Sequence, residues 1–152
     1  MAGNMDRNET LYLKNQLCFP MYLCSKEITR RYTEVLDELD LTYTQYVVMM
    51  YFWEHGSSNV KEAGEILMLD PSTLTPVLKK LEAKGFIRRE RSTEDERVLN
   101  VDLTEEGERL REKALTIPAK MRECFGLNDE ECAALYKLVY KLLGNVAKCD
   151  KK

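Results

Sequence analysis

The spacing of apolar residues predicts a mostly helical chain with one short stretch of strand pattern in its middle. Apolar positions recur near the helical period from Leu11 to about Leu39, which predicts one long helix, bent near Pro20. A second helix is predicted from about Gln45 to Glu54, capped by Thr42 or Thr44. Its inward-facing positions are expected to be Tyr46, Val47, Met50 and Trp53.

A tight turn between two short helices follows. Residues 56–59 are predicted to form a loop, and residues 60–67 a helix with Ala63, Ile66 and Leu67 on one face. The next helix is expected to run to Lys84 and to end at Gly85. Its cap is either Asp70, with Pro71 at the first helical position, or Ser72. Ser72 is preferred because it places Pro76 more comfortably within the first turn.

Strand patterns at 86–91 and 98–103 predict a two-stranded ribbon, joined by the polar residues 92–96. Thr104 is expected to cap a helix that runs to about Arg122, with a bend at Pro118. Asn128 caps the last helix, with Glu131 at the capping-box position. The apolar positions of this helix are Leu135, Leu138, Val139, Leu142 and Val146. The order helix, turn, helix and ribbon predicts a winged helix-turn-helix in a mainly α fold of the α+β class.

Composition narrows the class of protein further. A length of 152 residues suits one domain or one subunit of a dimer, and 44% hydrophobic residues suffice for a core. No apolar run approaches the ~20 residues of a membrane span, and no signal-peptide pattern precedes the first helix, so a cytoplasmic protein without membrane contact is expected. The five cysteines lack a CxxC pair, which indicates free thiols.

The charge distribution favours a nucleic-acid partner although the net charge is −3. Residues 79–91 contain six basic and two acidic side chains, so this segment carries +4 on an otherwise acidic chain. A local basic stripe decides where a polyanion docks. The same charges also suit solvated helix and strand faces, and the predicted fold is what favours DNA.

In a helix-turn-helix, the N-terminal residues of the second helix lie near the bases of the major groove. Here they carry small hydroxyl and methyl groups, which can meet base edges or phosphates: Ser72, Thr73, Thr75 and Pro76. The basic residues expected at the DNA backbone are Lys79, Lys80, Arg88 and Arg91. Alternatively, Thr73 and Thr75 are plain cap residues.

At the ribbon tip, Arg97 can reach a minor groove, where negative potential favours arginine. Asp95 can hold this arginine by a charge-assisted hydrogen bond. The same pair can instead serve only to close the hairpin.

A second candidate for chemistry is a thiol near the start of the first helix. Cys18 lies two residues before Pro20, and if regular helix begins there, the helix amides favour the thiolate. Tyr22 is four residues further on and can share its face. Against a sensing role, free cysteines are often buried and inert.

Several of these segments resemble a known family. LDPSTLTPVLKKLEAKGFIRRERSTEDERVLNVDLTEEG resembles the DNA-binding lobe of the multiple-antibiotic-resistance regulator (MarR) family, and DER followed by LT at 103–104 is a specific part of it. NQLCF at 15–19 and LDELDLTYTQYVVMM at 36–50 resemble the organic-hydroperoxide-resistance regulators (OhrR). The likeness covers about residues 11–147.

The resemblance implies a homodimeric repressor of a palindromic double-stranded DNA operator. Residues 11–42 and 104–147 would form a helical dimerisation lobe, and 43–103 the winged DNA-binding lobe. Residues 1–10 would be a flexible N-terminus and 148–152 a C-terminal tail. No cofactor or metal is expected, since no metal cluster or phosphate loop is visible in the sequence.

The resemblance also implies a role for the thiol. Cys18 matches the peroxide-reactive cysteine, and Tyr22, Tyr32 and Tyr43 match the tyrosines around it, the last two from the partner subunit. An organic hydroperoxide would oxidise Cys18 to a sulfenic acid. A mixed disulfide with a low-molecular-weight thiol, a protein disulfide with a second cysteine, or an overoxidised form would follow, and the operator would be released. Cys124 lies near the resolving position and Cys132 is its rival, although both also suit helix packing.

Two departures and two alternatives remain. Pro20 and Pro71 are not the residues expected at their positions, so the sensor helix and the operator contacts are open to change. The first alternative is a regulator that binds a small aromatic effector between its lobes, in a pocket lined by Tyr43, Tyr46 and Trp53. The second is a thiol-dependent redox enzyme, which no enzyme motif supports, so no enzyme activity is expected.

Overall fold

The computed structural model describes residues 8–149, which fall into two units, one ending at Ile117 and one beginning at Pro118. Most of the predicted flexible N-terminus (1–10) and of the predicted tail (148–152) lies outside the described residues. The helices and strands are α1 Cys18–Leu36, α2 Tyr43–His55, β1 Ser58–Asn59, α3 Val60–Leu67, α4 Pro71–Ala83, β2 Ile87–Arg91, β3 Leu99–Leu103, α5 Glu105–Ala114, α6 Ile117–Phe125 and α7 Asp129–Cys149.

The first helix begins at Cys18, so the prediction of a continuous helix from Leu11 was wrong. Two short 3-10 turns, Glu9–Leu11 and Leu13–Asn15, precede it. Pro20 therefore falls in the first turn of α1, where no backbone N–H has an intrahelical acceptor and a proline costs little. The thiol of Cys18 consequently belongs to the first residue of the helix.

Helix α2 is the central element of the first unit and packs against α1, α3, α4, α5 and β3. Of its two possible caps Thr42 is used, and Gln45 completes a reciprocal capping box. Tyr46 is buried as predicted, whereas Met50 is exposed. The remaining buried residues are Gln45, Val48, Met49, Tyr51 and Phe52. Because neighbours surround α2, its apolar residues occupy more than one face and the periodicity could not select the right one.

The helix-turn-helix consists of α3 and α4. Helix α3 has the predicted bounds, with Asn59 as its cap, although Ile66 is exposed rather than inward. Helix α4 is capped by Asp70 and not by Ser72, so the preferred cap was wrong. A carboxylate at this position accepts from two backbone amides, and proline at the next position already has a helical φ. Pro76 therefore lies beyond the first turn.

The two predicted strands form an antiparallel ribbon in which Ile87 faces Leu103 and Arg91 faces Leu99. A third strand was missed: β1 pairs with β3, and the sheet order is β1-β3-β2. The predicted loop at 56–59 therefore contains a short strand. Two residues are too few to show an alternating pattern, so the sequence could not predict this strand. The inner faces of α4 and of the ribbon bury Leu74, Leu78, Leu81, Ile87 and Val101.

The predicted helix from Thr104 to about Arg122 is divided in two. Thr104 caps α5 as predicted, but α5 ends at Ala114 and α6 begins at Ile117. Pro118 lies in the first turn of α6, where its missing N–H is tolerated. One helix therefore ends before Pro118 and another begins, instead of a single helix that bends. In the second unit α7 begins as predicted, with Asn128 and Glu131 forming reciprocal capping hydrogen bonds of 3.0 and 2.9 Å.

A close backbone contact joins the ribbon to α5. Gly107 lies so close to the turn between α4 and β2 that an added Cβ would be 2.1 Å from the carbonyl oxygen of Phe86. The indole N–H of Trp53 donates to the Gly107 carbonyl at 2.9 Å, and the Thr104 hydroxyl donates to the Gly85 carbonyl at 2.6 Å. Only a residue without a side chain fits at position 107.

Replacing Gly107 with alanine should therefore destabilise the fold, because Cβ would overlap the Phe86 backbone. We expect a loss of about 1–3 kcal/mol or more, the range of overpacked sites, measured by urea unfolding. The matched control is Gly144→Ala in α7, where an added Cβ meets nothing within 4 Å. There alanine should be neutral or stabilising. Equal stability of the Gly107→Ala variant and the wild type would contradict the close contact.

Candidate nucleic-acid interface and the Cys18 region

Helix α4 presents the predicted DNA-reading residues to solvent. Ser72, Thr73 and Pro76 are exposed and Thr75 is half-buried, whereas Leu74, Leu78 and Leu81 face the core. Lys79 and Lys80 are exposed further along the same helix. The surface of α4 thus combines small polar groups at its N-terminus with two cations one to two turns later, as a helix in a major groove requires.

One residue that sequence reasoning treated only as a possible cap organises this surface. The carboxylate of Asp70 accepts the amides of Ser72 and Thr73 at 2.9 and 3.1 Å. It also accepts the hydroxyls of both residues. The hydroxyl hydrogen bonds, first that of Ser72 and then that of Thr73, are the main cause of a lowered Asp70 pKa. The signal for this role was the Asp-Pro-Ser-Thr sequence itself.

The wing carries the other predicted DNA contacts. Arg97 is almost fully exposed at the tip, and its side chain donates to the Asp95 carboxylate at 3.3 Å, so the predicted pair is confirmed. Arg91 donates to the backbone carbonyl of Glu96 at 2.6 Å, which ties the tip to β2. Arg88 lies 3.0 Å from Glu90 with both side chains exposed.

The predicted sensor tyrosines are only partly brought together. The rings of Tyr32 and Tyr43 lie 4.7 Å apart, and Tyr46 lies 5.8 Å from Tyr32. Burial, followed by the neighbouring phenols, raises the pKa of Tyr32 to about 12, so its hydroxyl keeps its proton at neutral pH. Cys18 and Tyr22 are both exposed, and within residues 8–149 of one chain no hydrogen bond joins Cys18 to a tyrosine.

The two candidate resolving cysteines differ in environment. Cys124 is exposed near the end of α6. Cys132 is half-buried in the first turns of α7, and its thiol makes a long contact of 3.9 Å with the carbonyl of Leu127. Access therefore favours Cys124.

Comparison with known proteins identifies the family. Residues 30–114 match the family model of the SarA/Rot transcriptional regulators. The organic hydroperoxide resistance transcriptional regulator of Bacillus subtilis is 45% identical over 131 residues, which cover 86% of this chain and 89% of that one. The chain belongs to the MarR-type winged-helix transcriptional regulators. The regulator SarZ of Staphylococcus aureus is 43% identical over 82% of this chain and 84% of its own.

Solved structures agree with this assignment. AbfR of Staphylococcus epidermidis superposes on this MarR-type chain with a TM-score of 0.76 at 31% identity, covering 95% of this chain and 99% of its own. AbfR has also been solved bound to DNA, both reduced and overoxidized. A MarR mutant from E. coli, solved with operator DNA, shares the fold at 24% identity and a TM-score of 0.78. The chain thus has a DNA-binding winged helix of the OhrR and SarZ type.

Part of the predicted basic stripe of this MarR-type regulator is structural. Arg89 is mostly buried and pairs with Glu82 at 2.5 Å, linking β2 to α4. Lys84 lies 3.0 Å from the Asp40 carboxylate and also reaches Gln45, so it holds the end of α4 near the start of α2. These two cations are thus paired with carboxylates of the first unit. Sequence counting could not separate them from Lys79 and Lys80, because only the fold shows which cations have a partner.

No helix among residues 8–149 is long and apolar enough to cross a membrane. His55 ends α2 and stacks on Tyr51 with ring centres 4.5 Å apart. The Tyr51 hydroxyl and Ser58 lie 2.7 Å apart, and Ser58 donates to Glu62, so a polar chain fastens α3 to α2.

The Glu82–Arg89 pair gives a pH-dependent test. The hydrogen bond from Arg89 is the main cause of a lowered Glu82 pKa, so the pair stabilises the fold above the unfolded carboxyl pKa and is lost as pH falls through the folded one. We expect Glu82→Gln to lose up to about 1 kcal/mol at pH 7 and to lose less at about pH 3, which lies below the ordinary carboxyl pKa. Glu90→Gln, from the exposed pair, should change little at either pH. Urea midpoints at both pH values measure this, and a pH-independent difference would contradict the ion-pair account.

Proposed function

We propose that this regulator is a homodimeric repressor that senses organic hydroperoxides through Cys18 and releases a palindromic operator when that thiol is oxidised. The observation that carries the proposal is an exposed Cys18 at the first residue of α1 in a chain 45% identical to a hydroperoxide-resistance regulator. Exposure gives the oxidant access to this thiol.

The chemistry needs only the oxidant and a thiol. The Cys18 thiolate attacks one peroxide oxygen, an S–O bond forms, the O–O bond breaks, and the alcohol leaves after taking a proton. The sulfenic acid then condenses with a low-molecular-weight thiol or a second cysteine to give a disulfide and water. Tyr32 is protonated at neutral pH and can therefore donate to a thiolate, and Tyr22 and Tyr43 complete the proposed sensor pocket.

An uncovered apolar face supports the homodimer. In the second unit, α7 exposes large apolar side chains along one side, with Leu138 64% exposed. The others are Leu135, Val139, Leu143 and Val146. Contiguous apolar surface of this kind marks an interaction site, and a second copy of the chain is the partner we propose. Residues 11–42 and 104–147 would then form the dimerisation lobe and 43–103 the DNA-binding lobe.

On DNA, each α4 would enter a major groove of one operator half-site, with Ser72, Thr73, Thr75 and Pro76 towards the bases. Lys79 and Lys80 would contact phosphates, since no ion pair occupies either among the described residues. The wing would follow the backbone with Arg88 and Arg91 and place Arg97, oriented by Asp95, in the minor groove.

The effector-binding alternative receives limited support. Tyr46 is 3% exposed and the Trp53 indole is hydrogen-bonded to Gly107, so packing accounts for both. Tyr43 borders an open groove of about 360 Å³ whose other lining is largely polar. A thiol enzyme receives no support from the relatives, which are named as transcriptional regulators.

The decisive experiment compares wild type, Cys18→Ser and Cys24→Ser on promoter DNA next to the regulator's own gene, with and without cumene hydroperoxide. We expect oxidised wild type to lose at least tenfold in affinity by fluorescence anisotropy, because a bulkier oxidised sulfur would disturb the proposed interface between the two chains of the dimer. Cys18→Ser should keep its affinity, and Cys24→Ser, which removes another exposed thiol, should behave as wild type.

If the Cys18→Ser variant releases the operator on oxidation as fully as wild type does, Cys18 is not the sensor and an effector pocket is favoured. In the same samples, Cys124→Ser and Cys132→Ser separate the second step. If Cys124 resolves, its removal should abolish an interchain disulfide on a non-reducing gel, whereas removal of Cys132 should not.

The dimer has its own test. Leu138→Lys places a charge in the exposed apolar face of α7 and should shift the mass in solution from two chains towards one, measured by light scattering. Lys141→Glu, on the polar side of the same helix, should leave the mass unchanged. A dimeric Leu138→Lys variant would argue that α7 is not the interface.

A further inference from the structure

The geometry points to a role for Asp70 in operator choice: its carboxylate fixes the hydroxyls of Ser72 and Thr73 as hydrogen-bond acceptors, so that α4 selects bases by their amino groups. This deepens the proposed function, because it states what the same helix reads. It makes Asp70 a positioning residue, acting through the two side chains that face the bases.

All four contacts of the carboxylate are with the two residues that follow Pro71. Oδ1 accepts the Ser72 amide, the Thr73 amide and the Ser72 hydroxyl. Oδ2 accepts the Thr73 hydroxyl at 3.1 Å. An ionised carboxylate can only accept, so the direction of both hydroxyl hydrogen bonds is determined. The lowered Asp70 pKa keeps the carboxyl in this form throughout the neutral range.

The proton count decides what remains for DNA. A serine or threonine hydroxyl has one proton and two lone pairs. Since Asp70 takes both protons, Ser72 and Thr73 keep only lone pairs for a partner, and both side chains are exposed. A hydroxyl in this state cannot donate to a phosphate oxygen. The prediction that these hydroxyls contact base edges or phosphates is therefore restricted to partners that donate a hydrogen bond.

The major groove then sorts the bases. Adenine N6 and cytosine N4 are its amino donors, whereas guanine O6 and N7 and thymine O4 are acceptors. Acceptor-only hydroxyls pair with adenine or cytosine and leave guanine and thymine facing a lone pair. Thr75 supplies the contrast within the same helix turn, since among the described residues no hydrogen bond occupies its hydroxyl and it stays able to donate.

Asp70→Asn tests the direction without removing the cap, because asparagine caps helices as well as aspartate. The amide oxygen can replace Oδ1 and keep the Ser72 hydroxyl as an acceptor. The amide NH₂ replaces Oδ2 and must donate to Thr73, which frees the Thr73 proton for DNA. The variant should therefore change the base read by Thr73 and leave the base read by Ser72 unchanged.

The experiment selects operators from a random double-stranded library with reduced wild type, Asp70→Asn and Glu94→Gln. Glu94 is an exposed acid near the wing tip, so its replacement matches the charge change without touching the hydroxyls. We expect wild type and Glu94→Gln to select the same sequence. Asp70→Asn should lose roughly tenfold preference for adenine or cytosine at one position in each half-site, the usual cost of one mismatched contact.

A base analogue then tests the amino group itself. Replacing the selected adenine by purine, or the selected cytosine by pyrimidin-2-one, removes only that group. Wild type should lose roughly tenfold in affinity, and Thr73→Val should show no further loss on the modified site. Thr75→Val should still bind the modified operator roughly tenfold more weakly than the unmodified one.

An unchanged Asp70→Asn selection, or guanine or thymine at the bases facing Ser72 and Thr73, would overturn the inference. Both measurements use reduced protein and no peroxide. Failure of hydroperoxide sensing would therefore leave this result standing, whereas failure to select any sequence would overturn operator binding and this inference together.

Discussion

The burial of one side of α4 is the constraint on which the proposed DNA-binding surface depends. Leu74, Leu78 and Leu81 are almost fully buried, and each contributes about 1.5–3 kcal/mol by leaving water. Because these leucines determine the rotation of the helix about its axis, the residues between them must face outward. The hydroxyls at the start of α4 and the pair Lys79 and Lys80 are therefore placed on the exposed side by a hydrophobic preference.

Helix capping serves stability and function with the same atoms. Thr42, Asn59, Asp70 and Thr104 each satisfy amides at the start of a helix that would otherwise lack a partner. At Asp70 the cap extends to two hydroxyls on the surface that we propose faces DNA. A residue that a sequence comparison would classify as structural thus also determines the hydrogen-bonding character of its neighbours.

Much of the architecture followed from local signals. The bounds of α3, the cap of α5, the capping box of α7 and the pairing of the ribbon all depend on residues close in sequence, and these predictions were correct. Failures occurred where distant residues decide. The strand β1 exists because β3 offers it a partner, and the buried faces of α2 depend on the elements packed around it. The start of α1 and the break before α6 were missed because a proline is compatible with either a bend or a first turn.

The sequence by itself determined the class of this regulator, its winged helix-turn-helix and the candidate residues at both sites. Turn chemistry, caps and the helical period are local properties, so they can be read without a fold. Only the tertiary structure decided which charges are available. Arg89 and Lys84 belong to the same basic segment as Lys79 and Lys80, yet the fold brings Glu82 and Asp40 to the first two. An ion pair between residues as far apart in the sequence as Asp40 and Lys84 is created by packing, and no spacing rule records it.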